Sequence, residues 1–510
     1  MLRRASAVSW ISVLIVGCGL APPDARPEEK AHGAPLSRAP SLVQPGEDLL
    51  LLAVSADDFA LYQDGQTVYA TKLAPNAVRT KVADVPGTNI AFPLQVGRVV
   101  FLWTDPQRNL PGFGVSPLVL WTSDQGPRLI SPVSAVGLVA TAASSDGRQI
   151  VFTTNVTPDG LRGDLVHAWT RDALSPRTLL RDIPLDFPFG RCRPLAGFAG
   201  AGDDAFPIAA ACAAGDSTAT VSRWEGTRKV DLVSNVATPM PFTLETDPQG
   251  RTLLLDLATG AAVKVTTSGQ VTTLDTGVAP PMRGFVNRQG DALYTAPSAS
   301  GPGRELRLSN PGRSPRTLGP IAFLYSNSYN RGGYFQSRIS SPDGTLALFG
   351  STSDPNTGLT DMNLVNVSTG TVSTLDGRTL MTVGSELFTS DSRFAVYFEL
   401  DDLNFGTGPI FAASRTGATH RIGSGTQVFD VLRATGSKIS LSQSPTFDPG
   451  RQFQLSTADL LTVDVATGDE PKLVSAQASL FYLPSDDRRR LIFTSKTEPE
   501  GHGLYVATVP

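Results

Sequence analysis

The sharpest change from polar to apolar positions runs from Ser340-Ser341-Pro342-Asp343-Gly344-Thr345 into Leu346-Ala347-Leu348-Phe349. Proline sets φ for the second position of a turn, aspartate bonds its own backbone, and glycine supplies a positive φ, so Pro-Asp-Gly reverses the chain. The run behind it is apolar at consecutive positions, Leu346 and Leu348 on one face, Ala347 and Phe349 on the other. That pattern predicts a strand covered from both sides.

The phrase recurs. Copies stand at Ser144-Ser145-Asp146-Gly147 before Gln149-Ile150-Val151-Phe152, at Asp247-Pro248-Gln249-Gly250 before Leu253-Leu254-Leu255, and at Asn287-Arg288-Gln289-Gly290 before Ala292-Leu293-Tyr294. Looser copies begin at Ser390 and Ser485, and degenerate ones lie near Asp57, Gly97, Asp203 and Gly436. A spacing of roughly 48 residues falls in the range of solenoids, propellers and arrays.

Each repeat divides into four strands, a to d. Strand b is the apolar run after the turn. Strand c follows as Leu118 to Trp121, Leu165 to Trp169, Met362 to Val367, Leu460 to Val465 or Leu504 to Ala507. Strand d opens on a proline and a cation, as in Pro127-Arg128, Pro176-Arg177, Pro315-Arg316 and Pro471-Lys472. Such an opening suits an outer edge that recruits no further strand.

Four-stranded units repeated at this length predict an all-β fold, a β-propeller of about eight to ten blades in one closed ring. Direct counting gives ten repeats, the last ending after its strand c at Val509. Its missing outer strand has a candidate at the other end of the chain, Pro40-Ser41-Leu42-Val43, ahead of the first strand a at Leu49 to Val54. The expected organisation is a signal peptide over 1–17, a tether over 18–39 and the propeller over 40–510.

The residues Ser341-Pro342-Asp343-Gly344 with Ala347 and Phe349, a polar b–c loop and a following strand with Asp361 and Val365 resemble the WD40-like repeat of TolB-type periplasmic propellers. The resemblance implies the propeller fold and an envelope setting. It does not imply the activity of TolB itself, because no separate N-terminal α/β domain is visible.

Composition narrows the function. Lys plus Arg number 43 against 47 Asp plus Glu, and the basic run Arg488 to Arg490 stands alone, so nucleic acid is not an expected partner. Gly 48 and Pro 39 agree with short strands and many turns. At the start, Arg3 and Arg4 precede an apolar core from Ala5 to Val16, and Leu14-Ile15-Val16-Gly17-Cys18 resembles a bacterial lipobox. Cys18 is then the lipidated residue and the membrane a partner through that lipid. Gly19 in the next position favours the outer membrane. The segment to Ala39 is rich in Ala, Pro and charge and serves as a tether reaching about 25 Å. The two remaining cysteines, Cys192 and Cys212, form an even pair in an exported protein and predict a disulfide, worth roughly 3 kcal/mol through loop closure.

Long connections gather in the b–c and d–a positions, which share one face of the ring, and binding residues on rigid scaffolds concentrate in such loops. The most unusual is the stretch around Tyr325, Tyr329, Arg331, Tyr334 and Phe335, where aromatics and arginine mix with Asn, Ser and Gly in the manner of contact surfaces. Of the four histidines, His32 lies in the tether, His167 and His420 in strands and His502 in a loop, so no Ser-His-acid triad is evident. Acidic pairs in loops, Asp159 with Asp164, Asp354 with Asp361 and Asp401 with Asp402, match no EF-hand or RTX spacing. No metal site and no cofactor are expected. The leading expectation is a non-enzymatic binding or scaffold protein whose long-loop face takes a protein, peptide or envelope polymer; the alternative is a lyase or glycosidase with carboxylates at the central channel.

Overall fold

The computed structural model describes residues 34–35, 39–87, 89–105, 115–135, 141–144, 146–157, 162–172, 175–185, 195–200, 204–212, 218–237, 247, 250–299, 301–324, 327–331, 334–353, 360–379, 388–399, 407–426, 432–436, 438–446, 457–468, 470–479, 482–496, 498 and 500–509. Among these, regular structure is all strand apart from one 3-10 turn, Thr170–Asp172. The expected signal peptide, Cys18 and most of the expected tether lie outside them.

The strands form ten antiparallel units among the described residues, numbered here as blades 1 to 10 in chain order: 50–84, 92–135, 142–184, 195–237, 252–276, 284–321, 323–379, 388–426, 432–479, and 483–508 together with 41–45. Blade 1 shows the full pattern, with strand a Leu50–Val54, b Phe59–Asp64, c Thr67–Lys72 and d Thr80–Asp84, each paired with the next. In blade 5 the described strands are b, c and d, and in blade 8 strand a is reduced to the bridge between Phe388 and Ala395.

The core is not one mass. Among the described residues it divides into ten apolar clusters that bridge successive blades. Strand b of blade 7 shows why the sequence requires this. Leu346 and Leu348 point into the cluster shared with blade 8, while Ala347 and Phe349 point into the one shared with blade 6, and all four are buried. A strand apolar on both faces needs a neighbour on both sides, and only repetition around an axis supplies one to every blade.

Closure follows the expected route. Ser41–Pro45 pairs antiparallel with Gly503–Thr508 as the outer strand of blade 10, with Ser41 opposite Val506 and Pro45 opposite Gly503. Val43 and Ile492 then share a cluster with Leu49, Leu51 and Tyr62 of blade 1. The first blade therefore packs on the last.

The turns between strands a and b repeat one hydrogen-bonded box. Ser144, Ser341 and Thr389 each donate a hydroxyl to the aspartate two residues on, at 2.7, 2.7 and 2.6 Å, and Ser485 does the same to Asp487. The aspartate Oδ1 accepts the N–H two positions later, as from Thr345 at 3.0 Å, and the hydroxyl accepts the N–H that opens strand b, as from Leu346 at 3.0 Å. The residue after the aspartate takes a positive φ: 71° at Gly147, 75° at Gly344, 59° at Ser392 and 58° at Arg488. At Gly147 a Cβ would lie 2.6 Å from the Val96 carbonyl of the neighbouring blade, so glycine is required there for space as well as for φ.

Two expectations need correction. The segment before Ala39 is not all tether, because Ala34–Pro35 pairs in parallel with Lys472 and Leu473 on the outer strand of blade 9. That same strand d, despite its Pro-Lys opening, does recruit a further strand. The pairing starts after the proline, at Lys472.

Candidate binding face

Antiparallel order puts the a–b and c–d connections on one face, and side chains there join blades. Arg415, at the c–d turn of blade 8, contacts Asp343 of blade 7 at 2.5 Å and donates to the Ser392 carbonyl at 3.0 Å. Arg490 of blade 10 reaches Asp58 of blade 1 at 2.5 Å, and Arg488 donates to the Ala434 carbonyl of blade 9 at 2.9 Å. Two cations of the only basic run in the sequence thus hold neighbouring blades. The opposite face carries the b–c and d–a connections, and many of those residues, including Asp159, Asp354, Asp401 and Asp402, lie outside the described ones. Asp164 is described. It accepts from the Asn155 side chain and from the Asp182 backbone, both at 2.9 Å, which is a turn-forming role.

The stretch holding the expected contact residues does not connect two blades. Phe323–Leu324 already belongs to strand a of blade 7, with Leu324 opposite Phe349. Two residues back along strand b, Ala347 faces Ser340, where an uninterrupted strand would place residue 326. Fourteen extra residues, 325–338, therefore sit inside the innermost strand. They include a hairpin, Asn327–Arg331 paired with Tyr334–Arg338, in which Tyr329 is opposite Gln336, Asn330 opposite Phe335 and Arg331 opposite Tyr334. Tyr325 lies outside the described residues. The hairpin approaches Phe92–Val96, strand a of blade 2. Sequence reading missed the insertion, although apolar Phe323-Leu324 before the polar stretch and Ile339 after it are the two halves of an interrupted strand.

Titratable groups on the long-loop face are scattered. Burial pushes the Asp256 carboxyl up, against a backbone hydrogen bond from Met282 at 3.0 Å, and burial likewise raises Asp459, which accepts from the Gln477 backbone at 3.3 Å. One belongs to blade 5 and the other to blade 9. A small polar recess lies on the same face where blades 9, 10 and 1 meet, lined by Asp48, Thr457, Gln477, Ser495 and Lys496. No group of three or more His, Cys, Asp or Glu suited to a metal occurs among the described residues.

No protein-family model matches the chain, and no curated protein matches its sequence. Solved structures do resemble it. A eukaryotic initiation factor is similar over 76% of this chain and 90% of its own, at 13% identity and a TM-score of 0.45. TolB from Acinetobacter baumannii is similar over 65% of this chain and 81% of its own, at 12% identity and a TM-score of 0.28. An oligogalacturonate lyase in complex with manganese is similar over 94% and 99%, at 12% identity and a TM-score of 0.33. The chain folds as a β-propeller. Likeness at these identities extends to the fold alone, and nothing about ligand or reaction is taken from it.

Elsewhere in the propeller, His167 is buried in strand c of blade 3, its Nε2 2.9 Å from Gln149 Oε1 and its ring against Phe198 of blade 4. Burial, with Arg177 nearby, lowers its pKa to about 4. The folded state therefore holds this ring neutral where the unfolded chain, with an ordinary value near 6.5, takes up a proton. Stability is complete above pH 6.5 and falls as pH drops from 6.5 towards 4, by roughly 3 kcal/mol from this residue. In His167→Leu the difference between urea midpoints at pH 7.5 and pH 4.5 should shrink. An unchanged difference would remove His167 from the account.

Proposed function

We propose that this propeller is a lipid-anchored envelope protein that binds a protein, peptide or envelope polymer on its long-loop face and at the mouth of its central channel. The observation that carries the reading is the hairpin placed inside strand a of blade 7. Its strands, Asn327–Arg331 and Tyr334–Arg338, carry Tyr329, Arg331, Tyr334 and Phe335, residue types suited to contact surfaces, and their backbone approaches strand a of blade 2. The alternative, a lyase or glycosidase, needs two facing carboxylates in that same space. Among the described residues, Asp256 and Asp459 are the carboxyls on this face raised by burial, and they lie in blades 5 and 9.

Anchoring rests on the lipobox at Cys18, and outer-membrane placement on Gly19. The proposed disulfide joins Cys192, which lies outside the described residues, to Cys212 just past strand b of blade 4, the even pair expected in an exported chain. Cys212 is buried there.

One preparation tests the whole reading. Protein made in a bacterial envelope should carry lipid on Cys18 and a Cys192–Cys212 peptide under non-reducing mass spectrometry, and Cys18→Ala should leave the membrane fraction. Crosslinking in intact cells should give adducts that fall about tenfold in Tyr329→Ala/Arg331→Ala while the melting temperature holds, the loss expected of a contact hot spot. Adducts unchanged in that variant, or cleavage of envelope glycans by the purified protein, would overturn the binding role.

A further inference from the structure

We propose that the hairpin is also a brace: it ties blade 7 to blade 2 across the channel and divides the ring into two arcs that open separately. This goes beyond the binding role and stands whether or not a ligand is found. Blades 2 and 7 are five places apart by either route around a ring of ten, so their inner strands lie on opposite sides. A segment leaving strand a of blade 7 reaches strand a of blade 2, Phe92–Val96, only through the middle. Each five-residue arm extends about 16 Å.

The brace answers a need set by blade number. Channel width grows with the number of strands or blades around an axis, and inner strands on opposite sides of so large a ring are too far apart to touch one another directly. Each blade is then held only by its two neighbours, and one weak seam opens the whole ring. The seam is known: blade 10 takes its outer strand, Ser41–Pro45, from the other end of the chain. That seam lies in the arc running from blade 7 through 8, 9 and 10 to 1 and 2. The other arc, blades 2 to 7 through 3, 4, 5 and 6, is closed by the hairpin alone. Losing the seam should leave that arc closed.

The fourteen-residue insertion makes the test clean. Deleting 325–338 joins Leu324 to Ile339 and returns Ser340 to its place opposite Ala347, so strand a of blade 7 is restored, not cut. Four proteins are compared by hydrogen exchange: the full chain, the hairpin deletion, a chain starting at Gly46, and the combination. Exchange in strands b of blades 3 to 6 should be little changed by either deletion alone and should rise about tenfold or more in the combination, as expected when a local unit loses its closure. In the full chain, a benzophenone side chain at Tyr329 should crosslink to the peptide containing Phe92–Val96. Additive exchange effects, or crosslinks confined to blades 6 to 8, would overturn the brace. If the combined deletion fails to fold, the crosslink decides by itself.

Discussion

A chain beginning at Gly46 should melt well below one beginning at Ala39 and should associate on heating. The shorter chain loses Leu42 and Val43. Val43 is buried in the cluster between blades 10 and 1, and Leu42 packs against the one between blades 9 and 10. Full burial of Val43 and partial burial of Leu42 are worth about 2–4 kcal/mol before the ladder is counted. The truncation also strips the partner from Gly503–Thr508, an edge bearing the buried Leu504 and Tyr505, and an unpaired apolar edge recruits other chains. Among the described residues, a start at Ala39 removes only the two-residue pairing of Ala34–Pro35 with Lys472 and Leu473, so its effect should be small. Thermal melts with light scattering distinguish the two chains. Equal melting temperatures would show that the N-terminal strand does not close the ring.

The second large effect is expected at blades 5 and 6. Arg307 bridges Asp275 at 2.5 Å and Glu305 at 2.7 Å, Tyr294 donates to Asp275 at 3.0 Å, and Thr317 donates to Glu305 at 2.9 Å. Burial pushes the Glu305 carboxyl up, but hydrogen bonds from Arg307 and Thr317 more than offset it and hold the carboxyl below its ordinary range. Burial and the neighbouring Asp275 together push the Tyr294 hydroxyl upward. Removing the central cation leaves two largely buried carboxylates facing each other, a loss of about 3–5 kcal/mol. Arg307→Met should therefore lower the urea midpoint strongly, and Arg307→Met/Asp275→Asn/Glu305→Gln should recover much of the loss. If the triple variant is no more stable than the single one, packing rather than charge explains the effect.

Much of the ring was legible in the chain. The Ser-x-Asp-Gly phrases located the a–b turns because their chemistry is local: a hydroxyl, a carboxylate and a positive φ within four residues determine the reversal by themselves. Strand b of blade 7 announced burial on both faces through four consecutive apolar residues. The outer strand of blade 10 was visible at Pro40 to Val43 because a repeat missing one element leaves a stated vacancy. What the sequence did not show depends on contacts between residues far apart. Phe323–Leu324 and Ser340 form one strand interrupted by a hairpin only because strand b of blade 7 pairs with both pieces, and no local propensity records which partner a strand will meet. Arg307 reads in isolation as one more surface cation; two carboxylates brought to it by blades 5 and 6 make it structural. The docking of Ala34–Pro35 on blade 9 was hidden for the same reason, since a two-residue strand has no periodicity to detect. Local turn chemistry and two-faced apolar strands therefore set the repeat and the number of blades. The path through the channel, the charged network and the seam were decided by packing between distant parts of the chain, whose energies exist only once the ring is closed.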